Sequence, residues 1–184
     1  MSADAIASPE VPCLLSKEEI ALRVAELARQ ISADYAGRQP LLIGVLKGAW
    51  VFMADLVRHL TIPVHCDFVK LSSYGGGTTT SGRVQLHLDL NLAVEGQDVV
   101  IVEDIIDSGT CAVWLLDHLR RKKPASLRLC ALLDKPSRRV VPVQPDYLGF
   151  EIDNHFVVGY GIDWNERYRE LPYIGHIPSG GEAT

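Results

Sequence analysis

The stretch that decides the fold is Val99-Val100-Ile101-Val102-Glu103-Asp104-Ile105-Ile106-Asp107-Ser108-Gly109-Thr110-Cys111. Its opening residues are wholly apolar, the pattern of a strand buried on both faces of a parallel sheet. Two acids follow, then a short turn with Ser, Gly and Thr. Residues 112–121, AVWLLDHLRR, read as a helix whose closing cations suit its negative end. In open α/β sheets, ligands gather at the carboxyl ends of strands. A helix N-terminus at that place offers unpaired amides and a positive dipole end to an anion. Gly109 lets the backbone approach such an anion closely, and Ser108 and Thr110 add hydroxyls. Taken singly, Asp107 or Ser108 reads as a helix cap and Glu103-Asp104 as a solvated strand end. The set resists that reading. Three carboxylates around an anion-ready turn repel one another unless they meet hydroxyls, a proton to accept, or Mg²⁺.

Working outward, LLIGVL at 41–46 is a second buried strand, broken by Lys47-Gly48, and AWVFMADLVRHL at 49–60 is the next helix. Upstream, Ser16 and Glu19 form a capping box. Ile20, Val24, Leu27 and Ile31 follow at helical spacing, so a helix is expected over 17–35, ended by Gly37 and Pro40. Pro63 opens a strand with Val64, Cys66 and Phe68 on one face. Val84, Leu86, Leu88 and Leu90 alternate with polar residues, as in a strand with one wet face. LRLCALL at 127–133 and FVVGYG at 156–161 are further strands, and SSYGGGTTTSG at 72–82 reads as a mobile loop. The order β-α-β…β-α-β predicts an α/β fold with a mainly parallel sheet. Residues 1–15 read as a loose tail and 16–184 as one domain, without a linker or repeat.

The 184 residues fit one domain, which at this length hides about two-thirds of its unfolded surface. Hydrophobic residues make up 47% and charged residues 22%, an ordinary globular composition. Eighteen Lys and Arg against 23 Asp and Glu give a net charge of −5, which disfavours broad nucleic-acid and anionic-membrane surfaces. Any phosphate is therefore expected to be held locally, by backbone amides and a metal ion. Cys13, Cys66, Cys111 and Cys130 form no Cys-x-x-Cys unit, which excludes a zinc knuckle or redox motif. Isolated cysteines, an N-terminus without a signal-peptide pattern and no membrane-length apolar run predict a cytoplasmic protein. The histidines at 59, 65, 87, 118, 155 and 176 show no ligand spacing, and neither a Walker A sequence nor a GxGxxG fingerprint is present.

VVIVEDIIDSGT resembles the phosphoribosyl pyrophosphate-binding signature of the type I phosphoribosyltransferases. With four further segments in the expected order, spanning about Leu41 to Gly175, the chain resembles the hypoxanthine-guanine phosphoribosyltransferases among them. The resemblance implies the type I fold, a twisted, mainly parallel sheet of about five strands flanked by helices. A small hood built partly from the C-terminal segment would carry the base pocket. It also implies purine salvage: the phosphoribosyl group passes to hypoxanthine or guanine with release of pyrophosphate. Glu103 and Asp104 would bind the ribose hydroxyls, directly or through Mg²⁺. Asp107 would accept the N7 proton of the purine. Backbone amides of Asp107 to Cys111, with Ser108, Gly109 and Thr110, would hold the 5′-phosphate. Cys111 stands where the family's turn usually has threonine, and a thiol is the poorer hydrogen-bonding group.

Leu46-Lys47-Gly48 resembles the family's pyrophosphate loop, with a cis peptide at the lysine. Ser73-Tyr74 and the glycines after it resemble its flexible lid, which would keep water from a ribosyl cation. Lys135, in LLDKPSRR, matches the lysine that donates to O6 of the base, and a donor there separates 6-oxopurines from adenine. Phe156 would stack on the base and the backbone of Val157 would meet its Watson–Crick edge. Asp163 would hold a second Mg²⁺ and Arg169 would contact pyrophosphate; Trp164 replaces the family's tyrosine. Metal ligands are thus expected at Glu103, Asp104 and Asp163, and partners are the base, phosphoribosyl pyrophosphate and further copies of the chain, as a dimer or tetramer. Two rivals differ from this reading. A sister enzyme for adenine, orotate or uracil is opposed by Lys135 and FVVGY, and a nucleic-acid-binding regulator by the net charge.

Overall fold

The computed structural model describes residues 11–74 and 83–177. In chain order these form β1 (Cys13–Leu15), α1 (Lys17–Asp34), β2 (Leu41–Leu46), α2 (Trp50–His59), β3 (His65–Tyr74), β4 (Arg83–Leu88) and β5 (Asp98–Ile106). Then come α3 (Thr110–Arg120), β6 (Ser126–Asp134), a single 3₁₀ turn at Pro136–Arg138, β7 (Tyr147–Glu151), β8 (Phe156–Val158) and β9 (Ile174–Ile177). The main sheet runs β4-β3-β2-β5-β6-β7. Its last five strands are parallel, as the α/β reading expects, and β4 adds an antiparallel edge. β1, β9 and β8 form a separate antiparallel sheet of three strands, the hood.

Alternation along the central strands divides the core into two layers. Leu42, Val100, Val102, Cys130 and Leu132 face α1 and α2, packing with Ile20, Val24, Leu27, Phe52 and Leu56. Leu41, Ile43, Val99, Ile101, Leu129 and Ala131 face α3, against Leu115 and Leu119. That two-sided burial is why these strands read as continuous apolar runs. α1 starts at the expected capping box: Ser16 Oγ accepts from the Glu19 amide at 3.2 Å, and the Glu19 carboxylate accepts from the Ser16 amide at 2.9 Å.

The sheet order also fixes where a ligand belongs. From β2 the chain crosses through α2 to β3 on one side. From β5 it crosses through α3 to β6 on the other side and on the opposite face. The carboxyl ends of β2 and β5 therefore flank a topological switch point, the crevice where open α/β sheets bind ligands.

Four local expectations change. Cys13–Leu15 is a strand rather than tail, because β9 supplies a partner 160 residues away that no local pattern announces. β8 ends at Val158, since Gly159, Tyr160 and Gly161 all take the left-handed conformation and turn the chain. Val64 and Phe68 pack on the core while Cys66 between them is exposed. Opposite, Asp67 is buried and accepts from the Phe68, Asn91 and Leu92 amides, each at 2.8 Å, tying the β4–β5 connection to β3. Finally, Glu103 and Asp104 lie within β5 instead of beyond it. The GGGTTTSG part of the expected lid, residues 75–82, lies outside the described residues; Ser73 and Tyr74 close β3, whose backbone pairs with β4 there. No helix among the described residues is long and apolar enough to cross a membrane.

Candidate active site

The site forms where β2 and β5 end. After β5 the chain turns through Asp107, Ser108 and Gly109 into α3. Gly109 has φ 82°, and a Cβ there would lie 2.8 Å from Val143 Cγ1 and 2.9 Å from the Val141 carbonyl oxygen. Conformation and space both demand glycine at this helix entrance. Ser108 Oγ donates to Thr110 Oγ1 at 3.1 Å and accepts from the Thr110 amide at 3.3 Å. The segment after β6 folds back on this turn: the Val140 and Val141 amides both donate to the Ser108 carbonyl, at 2.9 and 3.2 Å. The turn is thus clamped from outside; the Thr110 amide is engaged by Ser108 Oγ, and the next amides of α3 face the site of an anion.

Lys135 sits beside the Asp107 turn. The Lys135 amide donates to the Ile106 carbonyl at 3.0 Å, and its residue is only 6% exposed, which rules out a surface turn. Burial pulls its ammonium below the ordinary range and Arg138 adds to that, while the Asp107 carboxylate opposes it. Arg138 Nε donates to Asp107 Oδ1 at 3.2 Å, and Arg139 donates to the Asp107 carbonyl at 2.7 Å while pairing with the Asp134 carboxylate. Sequence reasoning passed over both arginines. The signal was available in LLDKPSRR, three cations in five residues, but only the fold brings them under the strand end.

The acids of β5 occupy the opposite extreme of environment. Glu103 is 5% exposed, and burial, then the neighbouring Asp104 charge, hold its carboxyl well above the usual range. Asp104 is pushed up to about 6 by burial; Asp163 adds to the rise, and backbone donors and Arg169 pull against it. Gly48 makes this possible, since a Cβ there would stand 1.7 Å from Asp104 Oδ2. The Leu46–Lys47 peptide is cis, as the resemblance implies. Cys111 is partly buried, and burial, then Glu103 and Asp104, push its thiol up to about 11, so it stays protonated.

A second loop, 159–169, closes the crevice from the hood side. Arg169 donates to the Gly161 carbonyl at 2.8 Å and pairs with Asp163 at 2.8 Å and Glu166 at 3.2 Å; Lys47 pairs with Glu166 at 3.0 Å. Arg169 is therefore an anchored residue, not a solvated helix charge. Phe156 is 54% exposed and meets Trp164 edge-on at 6.3 Å, leaving ring surface free rather than buried as a core aromatic. Val157 is buried and pairs with His176 across the hood sheet.

Residues 13–165 match the model of the phosphoribosyl transferase domain. The chain is 49% identical, over 162 residues, to the hypoxanthine-guanine phosphoribosyltransferase of Bacillus subtilis, covering 88% of this chain and 90% of that protein. The chain belongs to the hypoxanthine-guanine phosphoribosyltransferase family. A family member from Bacillus anthracis, solved with a HEPES molecule in its active site, superposes with a TM-score of 0.88 at 46% identity, covering 92% of this chain and all of that one. The bifunctional TilS/HprT protein of Listeria innocua is 51% identical over 162 residues, 88% of this chain. This chain spans only about a quarter (25%) of that longer relative.

Whether this family site suits Mg²⁺ is a question for its donor set. Among the described residues no three His, Cys, Asp or Glu side chains gather into a ready-made cage. In phosphate-handling sites, though, Mg²⁺ is usually held by one or two carboxylates plus substrate oxygens. Asp104 and Asp163 are close enough for one charge to raise the other carboxyl, and an added cation would relieve them. The residues fit an ion that arrives with a phosphorylated substrate.

Proposed function

We propose that this protein transfers the 5-phosphoribosyl group of phosphoribosyl pyrophosphate to N9 of hypoxanthine or guanine, giving IMP or GMP and pyrophosphate. The observation that carries this reading is the placement of the Asp107 turn and buried Lys135, whose amide holds the Ile106 carbonyl, beside the glycine-entered N-terminus of α3. Backbone amides of Asp107 to Cys111 orient on the 5′-phosphate, the Thr110 amide exchanging Ser108 Oγ for it, helped by the Ser108 and Thr110 hydroxyls. Glu103 and Asp104 receive the ribose hydroxyls. Phe156 stacks on the purine, and the Val157 backbone meets its Watson–Crick edge. Lys135 donates to O6, and its weakened hold on its proton suits that task. Asp107 takes the N7 proton as C1–N9 bonding develops. Arg169 and the Lys47 loop receive the pyrophosphate, and the segment from Ser73 and Tyr74 onward shields the reacting centre.

Mg²⁺, held by Glu103 and Asp104 with substrate oxygens, and a second Mg²⁺ at Asp163 would neutralise charge on the leaving pyrophosphate. Four free cysteines suit a reducing compartment, and we place the reaction in the cytoplasm. Trp50 and Leu22, exposed on α2 and α1, offer apolar surface for assembly into a dimer or tetramer. The test mixes purified protein, Mg²⁺ and phosphoribosyl pyrophosphate with each base and follows nucleotide formation by ultraviolet absorbance. Turnover with hypoxanthine and guanine but not adenine is expected. Absence of turnover with either 6-oxopurine overturns the reading.

A further inference from the structure

We infer that Glu166 is a built-in competitor of pyrophosphate, a carboxylate that occupies Lys47 and Arg169 until the substrate's diphosphate displaces it. The inference rests on the reading above, which assigns those two residues to pyrophosphate. Lys47 Nζ donates to both oxygens of the Glu166 carboxylate, each at 3.0 Å. Arg169 Nη2 donates to one of the same oxygens at 3.2 Å. One internal anion thus engages both cations expected to meet the leaving group.

The local backbone holds it there. Trp164 and Arg167 exchange backbone hydrogen bonds of 3.1 and 3.0 Å around a two-residue turn. The turn residues, Asn165 and Glu166, have φ of 52° and 62°. Turns of this mirror-image kind favour glycine at the second position, where any side chain is strained. Asp163 Oδ2 accepts from the Glu166 amide at 2.8 Å and fixes the tip. A glutamate is therefore kept where glycine would be the easier residue, with its carboxylate laid across Lys47.

The pairing is also easy to exchange. Lys47 and Glu166 side chains are 50% and 65% exposed, so their attraction is screened and weak. Lys47 first, and Arg169 next, hold the Glu166 carboxyl below the usual range, so it is charged at neutral pH. Arg169 retains a buried Nε with no partner among the described residues, a donor that Glu166 does not satisfy. A diphosphate brings more charge and more acceptor oxygens than one carboxylate, and wins both cations. When pyrophosphate has formed, the returning carboxylate helps expel it.

Calorimetric titration with sodium pyrophosphate, with and without Mg²⁺, tests this on wild type, Glu166→Gln and Glu166→Gly. Both variants should bind pyrophosphate about three- to tenfold more tightly at low salt, the Lys47 pair being exposed and the Arg169 pair exposed on its Glu166 side, so that each is worth little. The gain should shrink as salt rises, and KM for phosphoribosyl pyrophosphate should fall alongside without a rise in kcat. Glycine suits the turn, so Glu166→Gly keeps the test open should the glutamine variant fold poorly. Equal or weaker pyrophosphate binding in the variants, meaning that Glu166 merely orients the two cations, overturns the inference. Nucleotide formation by wild type alongside that result leaves the proposed function standing. A wild type that turns over no base while the variants still bind tighter overturns only the function.

Discussion

Val99 to Val102 of β5 are buried among aliphatic side chains on both faces of the sheet, whereas next along the same strand Glu103 is a carboxylate packed nearly as deeply and Asp104 one that is half-buried. Burial of the first four stabilises the fold by the ordinary hydrophobic term, about 25 cal/mol per Å². Burial of the next two opposes it, because desolvation, with the Asp104 charge acting on Glu103 and the Asp163 charge on Asp104, pushes both carboxyls up. One strand thus stabilises through its middle and spends some of that stability at its rim, where ribose hydroxyls and a cation are to be met. The remaining rim charges are compensated in pairs, Arg139 with Asp134 and Arg169 with Asp163. Glu103, Asp104 and Lys135 are the groups left perturbed there, and all three face the proposed chemistry.

The contrast can be broken from the core side first. Leu132, wholly buried in the α1/α2 layer, should cost about 2–5 kcal/mol on Leu132→Ala, read by chemical denaturation, with activity per folded molecule retained. At the rim the sign should reverse. With the Asp104 carboxyl raised to about 6, the folded state favours its protonated form. Metal-free wild type therefore carries no penalty below about pH 4, loses stability as pH rises from 4 to 6, and carries the full penalty above that. Asp104→Asn should flatten the slope between about pH 4 and 6, leaving the share that Glu103 contributes, and stabilise the metal-free chain by about 1–3 kcal/mol at pH 7.5, measured as a higher Tm, while lowering activity. The smallest effect sharpens the picture inside the phosphate turn. Cys111→Thr adds a hydroxyl to the cradle and should lower KM for phosphoribosyl pyrophosphate by about two- to fivefold, the worth of one modest hydrogen bond. An unchanged or raised KM would mean that Thr110 and the backbone already suffice.

The sequence made the middle of the sheet legible because burial on both faces leaves an unbroken apolar run, as in LLIGVL and VVIV. α1 was readable to within a residue from its capping box, and the turn at 107–111 from its residue types in order. β1 and β9 were not readable. Each is only three or four residues long, and each is stabilised by a strand at the other end of the chain. Tyr147–Glu151 pairs with β6 only through its inner edge and carries no alternation strong enough to announce it. At the site, the strand-borne and turn-borne residues were legible one by one. Their compensating charges were not, because Arg138, Arg139 and Glu166 acquire meaning only when loops distant in sequence close on Asp107 and Lys47. Asp67 shows the same limit in a structural role, its partners lying 24 and 25 residues onward.

The measurement closest to the central claim is single-turnover nucleotide formation by Asp107→Asn, paired with its affinity for phosphoribosyl pyrophosphate. Asparagine keeps the shape of the turn and removes the proton acceptor. The rate with hypoxanthine should fall about 10²- to 10⁴-fold, the usual worth of a positioned acid or base, with phosphoribosyl pyrophosphate bound as in wild type. A rate within about tenfold of wild type would show that the proton leaves N7 by another route, and that Asp107 only pairs with Arg138 at the turn.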